Sequence, residues 1–220
     1  MNLTDKTIRT LQNFSQINNS IYFKRGNVIS TISVTNNIFA KAEISEDFPI
    51  PFAIYDLRGF LTGVSLFDNP QLEFPNESYM IMRSGKSKVK YFFADPDVIA
   101  KPPEKEIQLP QYQFKFKLPF EILERLIKAS RVFNFPDLCL ESENGTVSII
   151  GKDRSDSTSN AMSHEVGSSE IPFKFNFKIE NIKMLTVNYD VEISQKVARF
   201  INADEKLEYF IALEPDSTFG

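Results

Sequence analysis

Few residues of this chain could carry covalent or metal chemistry. Its 220 residues include one cysteine, Cys139, and one histidine, His164. A tetrahedral Cys/His zinc site or a His-pair metal site needs several such ligands, so neither can be assembled within one chain. A Ser-His-Asp triad would have to use His164, which lies in the polar stretch 153–170 without an adjacent Gly-x-Ser-x-Gly elbow. Gly85-Lys86-Ser87 echoes the end of a phosphate-binding loop, but Met80 stands where the loop's first glycine is required. A hairpin turn entering a strand is the reading kept there. Asp95-Pro96-Asp97 offers two carboxylates to a hard cation, yet it adjoins Lys101-Pro102-Pro103 in what reads as a linker. No metal site and no cofactor is expected.

The remaining chemistry is that of charge. The chain has 25 Lys+Arg against 29 Asp+Glu, a formal net charge of −4. Such a balance repels phosphate globally, so any nucleic-acid role depends on local placement of cations. At 100° per residue, Lys6, Arg9, Asn13 and Gln16 share one quadrant of a helix from Thr4 to about Asn18, opposite Leu3, Leu11 and Phe14. Arg125, Lys128 and Arg131 share a second helix face with Glu121 and Glu124, and Arg58 and Lys183 occupy the polar faces of two further helical segments. A solvated face with i,i+4 pairs, Glu121 to Arg125 and Glu124 to Lys128, explains any one helix alone.

The elements that would position these cations form a repeat. Ile50 to Tyr55 is an apolar run leading to Asp56, an N-cap candidate, then Leu57, Phe60, Leu61 and Val64 at helical spacing. Phe114 to Leu118 alternates with period two before Pro119 opens a helix, and Phe173 to Ile179 precedes a short helical stretch through Ile182 and Leu185. Strand-like runs with turn signals follow each helix. Helix starts near 4, 56, 119 and 180 therefore mark four similar units. Equivalent helices in stacked units line one surface, which would gather Lys6, Arg9, Arg58, Arg125, Lys128, Arg131 and Lys183 into one phosphate-facing patch. Residues 95–111, with Pro96, Pro102, Pro103 and Pro110, read as a linker between a domain at 1–94 and another at 112–220. The alternative is an ordinary α+β protein with coincidental spacing. No apolar run exceeds the five residues Tyr209 to Leu213, far short of the ~20 that span a bilayer. No secretory signal is read, and the lone cysteine fits a reducing cytoplasm.

The same residues resemble a known family, the DNA polymerase sliding clamps of T-even-type bacteriophages. The likeness is carried by Asn13-Phe14 with Ile17-Asn18, by Ala53-Ile54-Tyr55-Asp56-Leu57 with Gly59-Phe60-Leu61, and by Ala94-Asp95-Pro96. It continues in the basic-x-x-basic pattern Lys128 to Arg131 and in the tail Ala212-Leu213-Glu214-Pro215-Asp216-Ser217-Thr218; residues 153–170 are least similar. The resemblance implies an α+β DNA clamp fold: two domains, each of two β-α-β-β-β units, with helices lining the inner face of a ring. It implies a homotrimer around duplex DNA, no enzymatic activity, and the cytoplasm of the infected bacterial host as its place of work. Its implied partners are the phage DNA polymerase, an ATP-driven clamp loader and, in this phage group, factors for late transcription. The runner-up is a β-rich phage structural or assembly protein.

Two further sites are expected. The strands near Ser87 to Phe93 and within Ser157 to Val166 close their units and are left unpaired, so Lys88, Val89 and Lys90 of one chain would meet Glu165 of the next; proline at Val89 should then yield monomers. Clamps hold partner peptides in an apolar depression, for which the linker offers Val98, Ile99, Ile107 and Leu109 and the tail offers Leu213 and Phe219.

Overall fold

The computed structural model describes residues 1–103, 107 and 111–220. They fall into two compact units, Met1–Lys105 with Asp204–Leu207, and Glu106–Ala203 with Glu208–Gly220. In the first unit Thr4 caps helix α1 (Asp5–Ile17), its hydroxyl accepting the Thr7 N–H at 3.3 Å. The buried Glu46 carboxylate completes that cap by accepting from the Thr4 N–H and the Thr7 hydroxyl. It satisfies donors that a first helical turn leaves open, and it sits at the positive pole of the helix dipole. Leu11, Phe14 and Ile17 recur on the helical period and are at most 6% exposed. Asn13 is also buried, at 5% exposure, so it leaves the polar face on which periodicity puts it.

Strands β1 (Ile21–Phe23), β2 (Gly26–Ile32), β3 (Ile38–Phe48) and β4 (Phe52–Ile54) follow. β3 alternates buried and outward residues along most of its length, as a half-covered strand must. β1 pairs antiparallel with β4, and β2 with β3. Asp56 then caps α2 (Leu57–Ser65), its Oδ1 accepting the Gly59 N–H at 2.9 Å and the Asn19 side-chain amide at 3.0 Å. Those two donors hold the Asp56 carboxyl below the ordinary aspartate range. A Cβ at Gly59 would lie 2.4 Å from Asp56 Oδ2, so a larger residue there would displace the capping carboxylate. β5 (Gln71–Glu73), β6 (Tyr79–Ser84) and β7 (Ser87–Phe92) form an antiparallel sheet in that order. The Gly85-Lys86 pair is the two-residue turn between β6 and β7, with Gly85 at φ 57°, so this glycine serves backbone geometry and not phosphate binding. Phe23, Phe48, Phe52, Phe74 and Phe93 pack as a cluster, with Phe23 stacked on Phe52 at 4.4 Å between ring centres.

The second unit opens with β8 (Phe114–Leu118) and α3 (Phe120–Phe133). Pro119 has no capping side chain, and Asn188 Oδ1 instead accepts the Phe120 N–H at 2.9 Å. Asn134 ends the helix in the left-handed region at φ 57°, a conformation asparagine tolerates better than most residues. Strands β9 (Asp137–Glu143), β10 (Thr146–Lys152), β11 (Met162–Ser168), β12 (Phe173–Lys178), β13 (Tyr189–Ile193), β14 (Val197–Asn202), β15 (Leu207–Ala212) and β16 (Thr218–Phe219) complete it. One sheet runs β11-β10-β9-β12-β16, and the strand order β15-β14-β13-β8 makes the other.

The helical stretch expected through Ile182 and Leu185 is only a 3-10 turn at Ile179–Asn181. Ile182 and Met184 are both buried, a spacing of two that belongs to extended chain. The backbone also finds partners outside a helix: the Leu185 carbonyl accepts the Tyr189 hydroxyl at 2.6 Å, and the Leu185 N–H donates to the Tyr209 hydroxyl at 3.3 Å. β-Branched Ile182, Thr186 and Val187 lower the helical preference further.

Candidate nucleic-acid interface

In the first unit, three of the expected cations lie on α1 and α2, Lys6 and Arg9 in the first half of α1 and Arg58 at the start of α2. Arg58, in the first turn of α2, donates from Nη2 to the Ser15 carbonyl near the end of α1 at 3.1 Å, where a cation complements the helix dipole. Lys6 and Arg9 do not stand alone on α1. Glu205, in the turn after β14, takes Arg9 Nη2 at 2.9 Å and Lys6 Nζ at 3.2 Å, and the Asp204 carbonyl accepts from Lys6 at 3.4 Å. The face that reads as basic in sequence is therefore partly neutralised by a single carboxylate that holds both cations.

In the second unit, α3 buries Ile122, Leu123, Leu126 and Ser130 and turns Glu121, Glu124, Arg125, Lys128 and Arg131 outward. Lys128 pairs with Glu124 at 3.0 Å, an exposed pair of the kind that contributes little to stability. The expected Glu121 to Arg125 pair is not formed, and neither Arg125 nor Arg131 has a carboxylate partner among the described residues. Lys183 is half-buried just beyond the 3-10 turn, not on a helix face.

The strands expected to join chains lie at sheet edges. β7 ends the sheet β5-β6-β7, and β11 ends the sheet that continues through β10. Lys88, Val89 and Lys90 are exposed on β7, and Lys90 Nζ lies 3.9 Å from the centre of the Tyr79 ring. Glu165 is exposed on β11, opposite Ser148 beside a register shift in β10.

The residues expected to hold a partner are divided. Val98, the last residue of a 3-10 turn at Pro96–Val98, is 63% exposed, Ile99 is 6% exposed, Ile107 is half-buried, and Leu109 lies outside the described residues. Leu213 and Phe219 are brought together, with Phe175 and Pro215, around a depression of about 680 Å³ in the second unit. Gln113 also lines it, and its buried Oε1 has no hydrogen-bond partner among the described residues. The tail beside it is tied down at Asn176, whose N–H donates to Ser217 Oγ at 3.0 Å, whose carbonyl accepts the Glu214 N–H at 2.8 Å, and whose side-chain amide donates to Asp216 at 3.2 Å. Arg154 also bonds Asp216. Burial raises the Asp216 carboxyl, but the bonds from Asn176 and Arg154 outweigh it and hold that group below the ordinary range. Arg154 thus helps to secure the tail, a role no local sequence pattern announces.

Four-unit order, helices with polar outer faces and edge strands define the class of DNA clamps. A. fulgidus PCNA, solved bound to the C-terminal region of FEN-1, has the same fold: the TM-score is 0.71 over 99% of this chain and 98% of that one, at 15% identity. At the level of sequence, residues 4–100 match the DNA polymerase processivity factor family, and residues 115–215 match the C-terminal domain family of the gp45 sliding clamp. The sliding clamp of Vibrio phage KVP40 is 33% identical over 97% of this chain and 99% of its own length, and that of Escherichia phage RB69 is 28% identical over 99% of each. The chain belongs to the bacteriophage sliding clamps, the processivity factors of phage DNA polymerases. Members of this family are not enzymes. A structural or assembly protein, the other reading of the composition, finds no support in these matches.

Proposed function

We propose that three copies of this chain close head to tail into a ring around duplex DNA and hold the phage polymerase at the primer end. The observation that carries this reading is the pair of dissimilar edges, β7 in one unit and β11 in the other. Joining unlike edges is a heterologous contact, and such contacts make a ring when the rotation closes. A ring retains DNA by linkage, so its helix-face cations need only weak phosphate contacts without base readout. In this reading Arg125, Lys128 and Arg131 face DNA from α3, with Lys183 also from the second unit, and Lys6, Arg9 and Arg58 from the first. Lys88, Val89 and Lys90 meet Glu165 at each seam.

In this reading the partner groove is the depression lined by Leu213 and Phe219. Tethering through that groove raises the polymerase's effective concentration at the primer. Loader-driven opening and support of late transcription, in the cytoplasm of the infected host, belong to the same proposal. The test is polymerase extension on primed circular DNA with Phe219→Ala. Phe219 stacks on Phe175 and Phe173 at 6.1 Å at the chain's end, so truncation reshapes the groove and spares the core. Loss of such an aromatic anchor costs about 2 kcal/mol of binding, or a ~30-fold weaker tether, with assembly unchanged. Full stimulation by an assembled F219A clamp would place the polymerase elsewhere.

A further inference from the structure

The turn that carries Glu205 is built to hold that carboxylate against α1. Lys206 adopts φ 51°, an uncommon conformation for a side chain of its size. It is fixed there by an ion pair with Glu43 and by a bond from the Glu43 N–H to the Lys206 carbonyl at 3.0 Å. Glu205, one residue earlier, then meets both Lys6 and Arg9. Burial raises its carboxyl, but Arg9 and Lys6 outweigh that and hold it below the ordinary glutamate range, so it remains charged at neutral pH.

We propose that Glu205 acts as a built-in competitor for DNA phosphate, keeping the α1 cations in preformed pairs and so lowering the friction with which the clamp slides. This rests on the reading of α1 as a DNA-facing helix. A phosphate oxygen approaching Lys6 or Arg9 replaces a carboxylate oxygen already in place. The exchange is of like for like, and each contact therefore gains little and is readily surrendered to the next phosphate. Without the carboxylate, both cations would bind phosphate directly and release condensed counterions, giving a tighter and more salt-sensitive hold. Specific recognition would gain from that change, whereas a ring that must travel would be slowed by it. The same device recurs once on α3, where Glu124 holds Lys128, while Arg125 and Arg131 keep a net attraction.

The test is tracking of loaded clamps along stretched duplex DNA. Glu205 is half-buried but the side chains of its partners Lys6 and Arg9 remain open to solvent, so the pairs contribute little to folding and Glu205→Gln and Glu205→Ala should both assemble normally. Each should diffuse about threefold or more slowly at low salt, with the difference vanishing as salt is raised. Adding Lys6→Gln and Arg9→Gln to Glu205→Gln should restore the original diffusion. Arg125→Glu with Arg131→Glu is measured in parallel. If that pair alters the motion while both Glu205 variants move like the parent at every salt concentration, the competitor role is overturned and the DNA-facing helices stand. If neither set alters it, the DNA-facing assignment falls and the competitor role falls with it.

Discussion

Replacing Lys90 by proline is expected to turn the assembled clamp into folded monomers that no longer remain on circular DNA. The position follows from the register of the β6–β7 hairpin. Ser84 pairs with Ser87 across a two-residue turn, which makes that pair hydrogen-bonded. Antiparallel alternation then points the Val89 N–H at Met82 within the chain, and the Lys88 and Lys90 N–H groups away from β6. Proline at Val89, the substitution that sequence alone singles out, would break the hairpin itself and so confuse unfolding with dissociation. Proline at Lys90 removes only an outward donor, which an edge strand tolerates, and blocks addition of a neighbour's strand. The lost contact between Lys90 and Tyr79 is worth about 0.5–1 kcal/mol, so Lys90→Ala serves as the control and should stay assembled. Light scattering distinguishes the two variants. Trimers of the proline variant would mean that β7 is not the seam.

The second large effect is expected at Arg125 and Arg131. Reversing both to glutamate changes the charge of each chain by −4, on the helix face where no carboxylate among the described residues already neutralises them. Each phosphate contact removed should lower the slope of log affinity against log salt by about 0.9. Two lost contacts per chain, repeated around a ring, should cut loading and retention by at least tenfold at low salt. Arg131 lies in the last turn of α3, so an anion there opposes the helix dipole at about 0.5 kcal/mol. That is too little to unfold a domain. Assembly should therefore be intact, and a salt dependence equal to that of the parent clamp would remove α3 from the DNA-facing surface.

Local periodicity and turn chemistry made much of the fold legible. Leu11, Phe14 and Ile17, the Asp56 cap with Gly59, and the Gly85 turn each express a preference that acts within a few residues. What escaped depends on distant partners. Lys6 and Arg9 look like a basic face because Glu205 is nearly two hundred positions away, and only the folded turn brings it there. Asn13 sits at a polar angle of an ideal helix wheel, yet packing of the first unit covers it. Arg58 reads as a free surface cation but spends a donor on Ser15 across two helices. The helix expected near Lys183 fails because Tyr189 and Tyr209 supply competing bonds to the Leu185 backbone, and the spacing of Ile182 and Met184 suits extended chain. Arg154 lies in the polar stretch 153–170, and its link to Asp216 depends on a tail some sixty residues later.

A ring would hold DNA by topology and not by affinity. The decisive experiment loads the parent clamp onto nicked circular duplex DNA, isolates the complex, and cuts the circle once with a restriction enzyme. A particle of three chains is expected to stay on the closed circle through high-salt washing and to slide free within minutes of linearisation. Equal retention on circular and linearised DNA, or loss from both at the same salt concentration, would contradict it.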